Sequence, residues 1–317
     1  MQTMHCIVVL CLVMLGLSPL SYAFDDRQLV QPVTINTLVI VYPEFAVFKL
    51  PGSTLAIKAA SPITLTPLLS VSTTSKSINY GAAKNRLEFI IPDTPGRYDY
   101  TIKNLTTGQS LLLHVYALTP ATAINHKGTL DNYRIGQYPK KPLKGLAIYK
   151  PPVGFTRIEA ADVSIHVSPN FTIGQFLSKQ QSRFPKYVVL RPELIIKLEH
   201  ILRALNVAGH DIDNFHIMSG YRTPFYNQAI GNVKYSRHQW GGAADIFIDS
   251  KPVNNRMDDL NRDGVINIED AKWLAQFINS MSQRGEFKNL GGLGIYGSNA
   301  AHGPFVHVDV RGERVRW

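Results

Sequence analysis

Two short stretches hold most of the residues that could do chemistry: SGYRTPFYNQAIGNVKYSRHQWGGAADIFID at 219–249 and GLGIYGSNAAHGPFVHVDVRG at 292–312. His238 and Asp245 stand six residues apart, with Gly241, Gly242, Ala243 and Ala244 between them small or flexible. A second histidine, His307, follows far downstream. Two imidazoles and one carboxylate on rigid elements make a three-ligand set suited to Zn2+, with a fourth position open for water. Zinc of that kind lowers the pKa of water and makes a nucleophile near neutral pH. Taken alone, a His-x6-Asp spacing is also compatible with a merely structural pair.

The elements that must carry these residues are short strands. Side chains alternate along a strand, so Asp245, Phe247 and Asp249 share one face of Asp-Ile-Phe-Ile-Asp. Phe305, His307 and Asp309 share a face of the later run in the same way. Phe215–Met218 reads as the strand that delivers the Ser-Gly-Tyr-Arg block, with His216 on it as a structural residue. Upstream, Ser168-Pro169-Asn170 predicts a helix start near Thr172–Gln180. Pro192–Leu205 predicts a second helix, with Pro192 in its first turn and an apolar stripe of Leu194, Ile195, Leu198, Ile201, Leu202 and Leu205. His200 and His210 lie off that stripe and read as structural or exposed.

Four blocks together resemble the zinc D-alanyl-D-alanine peptidases, the group that includes lysostaphin-type enzymes and the hedgehog signalling domain. They are Ser219-Gly220-Tyr221-Arg222-Thr223-Pro224 with Asn227, then Ser236-x-His238-x-x-Gly241-x-Ala243-x-Asp245-Ile246. Gly291-Gly292-x-Gly294-x-Tyr296 and Phe305-Val306-His307-Val308-Asp309 complete the set. The resemblance covers roughly residues 170–317. It implies that His238, Asp245 and His307 are zinc ligands and that Arg222 stabilises carboxylate or oxyanion charge. It implies a metallopeptidase acting on peptidoglycan next to a D-amino acid, as carboxypeptidase or endopeptidase. Many relatives place an acid/base residue three positions before the last zinc histidine, where this chain has Pro304. Some murein endopeptidases carry a histidine five positions before it, which is His302 here. His302 is therefore the candidate acid/base group, or else a loop histidine beside a Gly-Pro turn. Asp309 either serves catalysis, orienting His307 or polarising the water, or pairs with Arg311 or Arg314.

The expected fold is α+β: a hedgehog/D-Ala-D-Ala-peptidase-like domain at 169–317, preceded by an immunoglobulin-like all-β sandwich at 24–120 and a connector at 121–168. Strands are expected at Thr37–Tyr42, Leu55–Ala59, Ile63–Val71, Leu87–Ile91, Arg97–Lys103 and Ser110–Leu118, with turns at Pro51-Gly52, Pro95-Gly96 and Thr107-Gly108. His114 stands alone on a strand and reads as a packed or surface residue. The sandwich shows no catalytic constellation and reads as an attachment module. Within the connector, Leu146–Tyr149 and Thr156–Glu159 read as short strands.

Residues 1–23 contain no Lys, Arg, Asp or Glu and end in Ser21-Tyr22-Ala23, the pattern of a secretory leader cleaved after Ala23; an uncleaved membrane anchor is the competing reading, with an apolar core short for a span. Cys6 and Cys11, the chain's two cysteines, both lie there, so the mature chain forms no disulfide. An exported protein, in the periplasm or cell-wall space, is expected, with no membrane span in the mature chain. The net charge is +10, and residues 121–190 hold ten basic against three acidic side chains. Such a band favours polyanions such as anionic cell-wall glycan or a membrane surface, or is a solvated linker. No nucleic-acid recognition motif is visible.

A second metal is expected between the zinc ligands. Residues 259–270 read DLNRDGVINIED, with Asp259, Asn261 and Asp263 at loop positions 1, 3 and 5 and Gly264 at 6. The Val265 carbonyl, Asn267 and Asp270 fall at 7, 9 and 12, as in an EF-hand loop of the dockerin variety, which takes Ca2+ through oxygen ligands. The helix after it is expected over 268–281. An Asp/Asn-rich turn capping that helix is the competing reading. Two further functions stay open: a non-catalytic zinc-binding module, and a calcium-dependent adhesion or assembly protein.

Overall fold

The structure, a computed structural model, describes residues 23–68, 84–250, 252–287 and 290–317. The expected leader and its two cysteines lie outside the described residues, apart from Ala23. The chain forms a β-rich α+β fold.

The N-terminal part is one seven-stranded sheet: β1 (Val33–Ile35), β2 (Leu38–Ile40), β3 (Glu44–Lys49), β4 (Thr54–Pro67), β5 (Lys84–Ile90), β6 (Gly96–Asn104) and β7 (Ser110–Ala117). Clean alternation makes β6 and β7 an antiparallel pair, as expected, with Tyr100 and Ile102 buried. The strand expected at Leu55–Ala59 and the start of that expected at Ile63–Val71 are joined in β4; residues 69–71 of the latter lie outside the described residues. The first half of β4 pairs with β1 and β5, and its second half with β6, across a register shift after Lys58. The strand expected at Thr37–Tyr42 shortens to β2, whose last residue, Ile40, pairs with Val33 at the start of β1. β3 runs parallel to β7 and buries Phe45, Ala46 and Val47 in succession.

The connector packs rather than spans. Leu130, Tyr133, Ile135, Phe155 and Ile158 join the same apolar core as both flanking parts. The strand expected at Leu146–Tyr149 is instead a turn of 3-10 helix, Ala147–Tyr149, while Gly154–Ile158 does pair as a strand. The helix expected over Thr172–Gln180 shrinks to a 3-10 turn, Ile173–Phe176. A reciprocal Thr172/Gln175 cap starts it, and the chain is extended again at Leu177.

The C-terminal part holds α1 (Pro192–Val207), α2 (Pro224–Ala229) and α3 (Ile268–Gln283), with β8 (Phe215–Ser219), β9 (Ala243–Ile248), β10 (Gly292–Tyr296), β11 (Phe305–Asp309) and β12 (Val315–Arg316). The whole predicted stripe of α1 is buried. The sheet order is β8-β9-β11-β10-β12. One rung of it aligns Ser219, Asp245, His307 and Gly294, and this rung positions the site. No helix among the described residues is long and apolar enough to cross a membrane.

Candidate metal centre

Asp245 and His307 are direct cross-strand partners on β9 and β11, so their side chains leave the sheet side by side. His238 comes from a 3-10 turn, Arg237–Trp240, that leads into β9. The turn closes at Gly241, which has φ +62°, and a Cβ there would lie 2.1 Å from the Val189 carbonyl oxygen. Only glycine meets both demands, and this seats His238 over the rung.

The three side chains are buried and their ligand atoms converge. His307 Nδ1 lies 2.8 Å from Asp245 Oδ1, and His238 Nε2 lies 3.2 Å from both. Among the described residues this is the one group of three or more His, Cys, Asp or Glu able to share an ion. Each ligand is fixed from behind. His238 Nδ1–H donates to the Gly220 carbonyl at 2.6 Å, and His307 Nε2–H donates to Asp309 Oδ2 at 3.2 Å. Those bonds set the tautomers and leave His238 Nε2 and His307 Nδ1 with lone pairs facing the Asp245 carboxylate. Donors 2.0–2.1 Å from a tetrahedral ion stand about 3.3 Å apart, close to the spacing seen. The donor set fits zinc.

Burial and mutual charge shift these groups in different directions. Burial opposes ionisation of Asp245, but His238 and His307 outweigh it and hold the carboxyl well below the usual range. Burial pushes the His238 imidazole down. In His307 the pull of Asp245 and Asp309 overcomes burial and raises it. Asp309 is fully buried, and His307 and Arg311 overcome that burial to keep it ionised.

Each residue singled out from the sequence has a definite place. Arg222 donates from Nη2 to Asp245 Oδ2 at 2.5 Å and from Nε to Ser219 Oγ at 2.7 Å. It therefore pins the oxygen that the histidines do not face. Both readings of Asp309 hold at once, since it orients His307 and also pairs with Arg311. Arg314 goes instead to Asn279. His302 reaches the cavity wall, edge-on to Phe305 at 4.9 Å. Its Nδ1–H donates to the Gly303 carbonyl and its Nε2 accepts from Asn299 Nδ2, both at 2.8 Å. His114 is not alone: its ring bridges Asp99 at 2.7 Å and Glu44 at 2.9 Å.

The 259–270 loop is ordered by its own backbone. Asp259 accepts from the N–H groups of Asp263 and Gly264, and Asp263 accepts from that of Val265. Asn261 bonds Asp263, while Asn267 caps α3 by accepting from Glu269 N–H. Asp270 is fully buried and accepts from the N–H groups of Leu260, Asn261 and Asn267. The turn-and-cap reading is therefore met by observed bonds, and the three aspartates do not form a shared cluster.

The metal group opens into a cavity of roughly 690 Å³. Its walls include Tyr296 and Arg311, together with three residues whose part in a site was not foreseen: Tyr149, Lys234 and Trp317. Trp317 lies across β10 because Gly294 leaves room; a Cβ there would come within 2.5 Å of the indole. Its Nε1–H donates to Tyr296 Oη at 2.7 Å, and its ring stands 5.2 Å from that of His307. Only the Gly-x-Gly-x-Tyr alternation hinted at this wall.

No family model matches the chain, and no curated protein matches it significantly. Among solved structures, the crystal structure of the titin M3 domain is similar over 27% of this chain and 97% of its own length, at 16% identity and a TM-score of 0.18. A score that low carries no argument.

Proposed function

We propose that the chain is an exported zinc metallopeptidase that cuts a peptidoglycan peptide bond next to a D-amino acid. The observation that carries this reading is the convergence of His238, Asp245 and His307, each with its outer partner, at one end of a substrate-sized cavity. The resemblance of the four sequence blocks supplies the substrate class and the hedgehog-type fold. It also supports the zinc assignment, while the N-terminal sheet serves as an immunoglobulin-like positioning module.

Zinc, when bound, supplies polarisation of the scissile carbonyl and activation of water. The Gly220 carbonyl and Asp309 hold the two imidazoles in the tautomers that ligate. Arg222 keeps Asp245 aligned and adds a fixed positive charge beside the reacting carbonyl. His302 exchanges a proton with the leaving amine at Nε2, giving up its bond to Asn299. The test is mass spectrometry of muropeptides digested by wild type and by His238→Ala. Release of a new peptide end by wild type alone is expected, and no release by a zinc-loaded wild type would sink the proposal.

A second reading, a zinc-binding module without catalysis, draws on Pro304 and on His302, both of whose ring nitrogens are already engaged. Stoichiometric zinc with no hydrolysis favours it. Calcium at Asp259, Asn261, Asp263, Val265, Asn267 and Asp270 remains a proposal of a structural ion. It requires Asp270 to loosen its backbone bonds.

A further inference from the structure

We infer that the substrate is a carboxylate-rich peptide strand, held along a basic rail that leads into the metal cavity; this rests on the peptidase reading and names its substrate class. In the cavity lining basic side chains outnumber acidic ones, although Arg222 is paired with Asp245 and Arg311 with Asp309. Arg222, Lys234, Arg237 and Arg311 line it, against Asp245 as its one carboxylate. That carboxylate is already committed to His238, His307 and Arg222.

The rail is the connector segment 140–150, strapped beside the cavity mouth. Three side chains of the metal-bearing part hold its backbone. Tyr235 Oη–H donates to the Lys141 carbonyl at 3.0 Å, Arg237 Nη1–H to the Ile148 carbonyl at 3.1 Å, and Trp240 Nε1–H to the Lys150 carbonyl at 3.0 Å. Tyr149 fills the space beneath, edge-on to Tyr235 at 5.9 Å and to Trp240 at 5.3 Å. Arg237 is buried with Nε and Nη2 unpartnered, over the Tyr149 ring at 4.6 Å. Burying a guanidinium so incompletely satisfied is costly, and the strap is what it holds.

Fixed in this way, Leu143 and Tyr149 become cavity wall, while Lys140, Lys141, Lys144 and Lys150 remain exposed. None of the four forms an ion pair among the described residues, and the sequence has no acid between Asp131 and Glu159. Lys234, exposed and cavity-lining, faces the same mouth. Like charges held together without counter-charge create a potential that captures an anionic ligand. A strand-like polymer can follow the rail and enter the cavity, whereas a membrane surface cannot enter it.

The experiment uses the zinc-loaded full chain and calorimetry with poly-D-glutamate at low and high salt. Poly-D-glutamine and anionic phosphatidylglycerol vesicles are the comparison probes. Poly-D-glutamate should bind, and poly-D-glutamine should not. A Lys140→Gln, Lys141→Gln, Lys144→Gln, Lys150→Gln variant should bind the acidic polymer on the order of tenfold more weakly at low salt, with the gap closing at high salt. Lys234→Gln should show a smaller loss in the same direction. Equal affinity in wild type and the fourfold variant would overturn the rail, as would binding to vesicles alone. If the fourfold variant does not fold, the salt dependence of wild type against Lys234→Gln decides. Binding is read without turnover, so polymer binding with no muropeptide cleavage would sink the peptidase reading and leave the rail standing.

Discussion

Changing Asp309 to Asn tests whether a buried carboxylate sets the tautomer of His307. Asp309 Oδ1 accepts from the N–H groups of Gly292 at 2.8 Å and Arg311 at 3.0 Å. Its Oδ2 accepts from Arg311 Nη2 at 2.5 Å and from His307 Nε2 at 3.2 Å. Asparagine keeps one acceptor oxygen, and the two backbone N–H groups claim it. The new amide N–H groups then face Arg311 and His307, which are both donors. His307 regains a bond to that amide only by moving its proton to Nδ1, the atom that faces Asp245 and His238. A protonated Nδ1 has no lone pair for a metal. Losing an outer partner of a metal-bound histidine costs about 10–100-fold in affinity, or about 1.4–2.7 kcal/mol at 1.36 kcal/mol per decade. Zinc affinity is measured by competition with a chromogenic chelator, and a melt in saturating zinc checks the fold. A folded Asp309→Asn protein with wild-type zinc affinity would refute the reasoning.

Arg222→Lys keeps the charge but cannot bridge Ser219 and Asp245 together, so zinc affinity and turnover should both fall, by about tenfold or more; chelator competition and muropeptide kinetics report the two separately. Asp270→Ala should destabilise the chain by about 1–3 kcal/mol with or without calcium, because a buried carboxylate and its three half-buried N–H bonds are lost. Asp263→Ala should abolish only a calcium-dependent rise in melting temperature, which reaches about 2.7 kcal/mol at a hundredfold excess over Kd; a wild-type melt insensitive to calcium would mean a capped turn. In the β3–β6–β7 cluster, burial opposes ionisation of Glu44, yet His114 and His166 hold it down at about 2, and Asp99 is lowered likewise. His114 is raised by its two carboxylates against burial, and His166 by Glu44. The carboxylates stabilise above their ordinary pKa and lose that effect as pH falls through the lowered values; the histidines stabilise below 6.5 and lose it as pH rises through their raised values. Stability from this cluster should therefore peak between 4.5 and 6.5, and denaturant midpoints across pH should flatten in His114→Ala.

What could be read in advance tracks how local its cause is. The alternation around Asp245 and His307 placed both on strands, because a strand's two faces are a property of neighbouring residues. The α1 stripe was legible for the same reason, with every predicted apolar position buried. β3 was not, since Phe45, Ala46 and Val47 are buried on both faces and show no alternation. The helix expected at Thr172–Gln180 failed because Ser168 ends a short strand instead of starting a helix, and the cap, Thr172 with Gln175, serves only a 3-10 turn. Nor does irregular apolar spacing in the connector announce that Leu130, Tyr133 and Phe155 will join the core.

The metal group shows the same division more sharply. The residue types of the candidate ligands are visible in sequence. The register that aligns Ser219, Asp245 and His307 arises from pairing between distant strands. The bond from His238 to Gly220 uses a backbone carbonyl, which every residue carries, so no spacing rule could point to it. Arg222 is the instructive case. Its type suggested a partner for substrate charge, but the rung places Asp245 within direct hydrogen-bond reach of it. A guanidinium committed to a ligand carboxylate acts first by holding that ligand, and its effect on the reacting carbonyl is exerted from a fixed position. This is why metal affinity, and not turnover alone, is the measurement that distinguishes its roles.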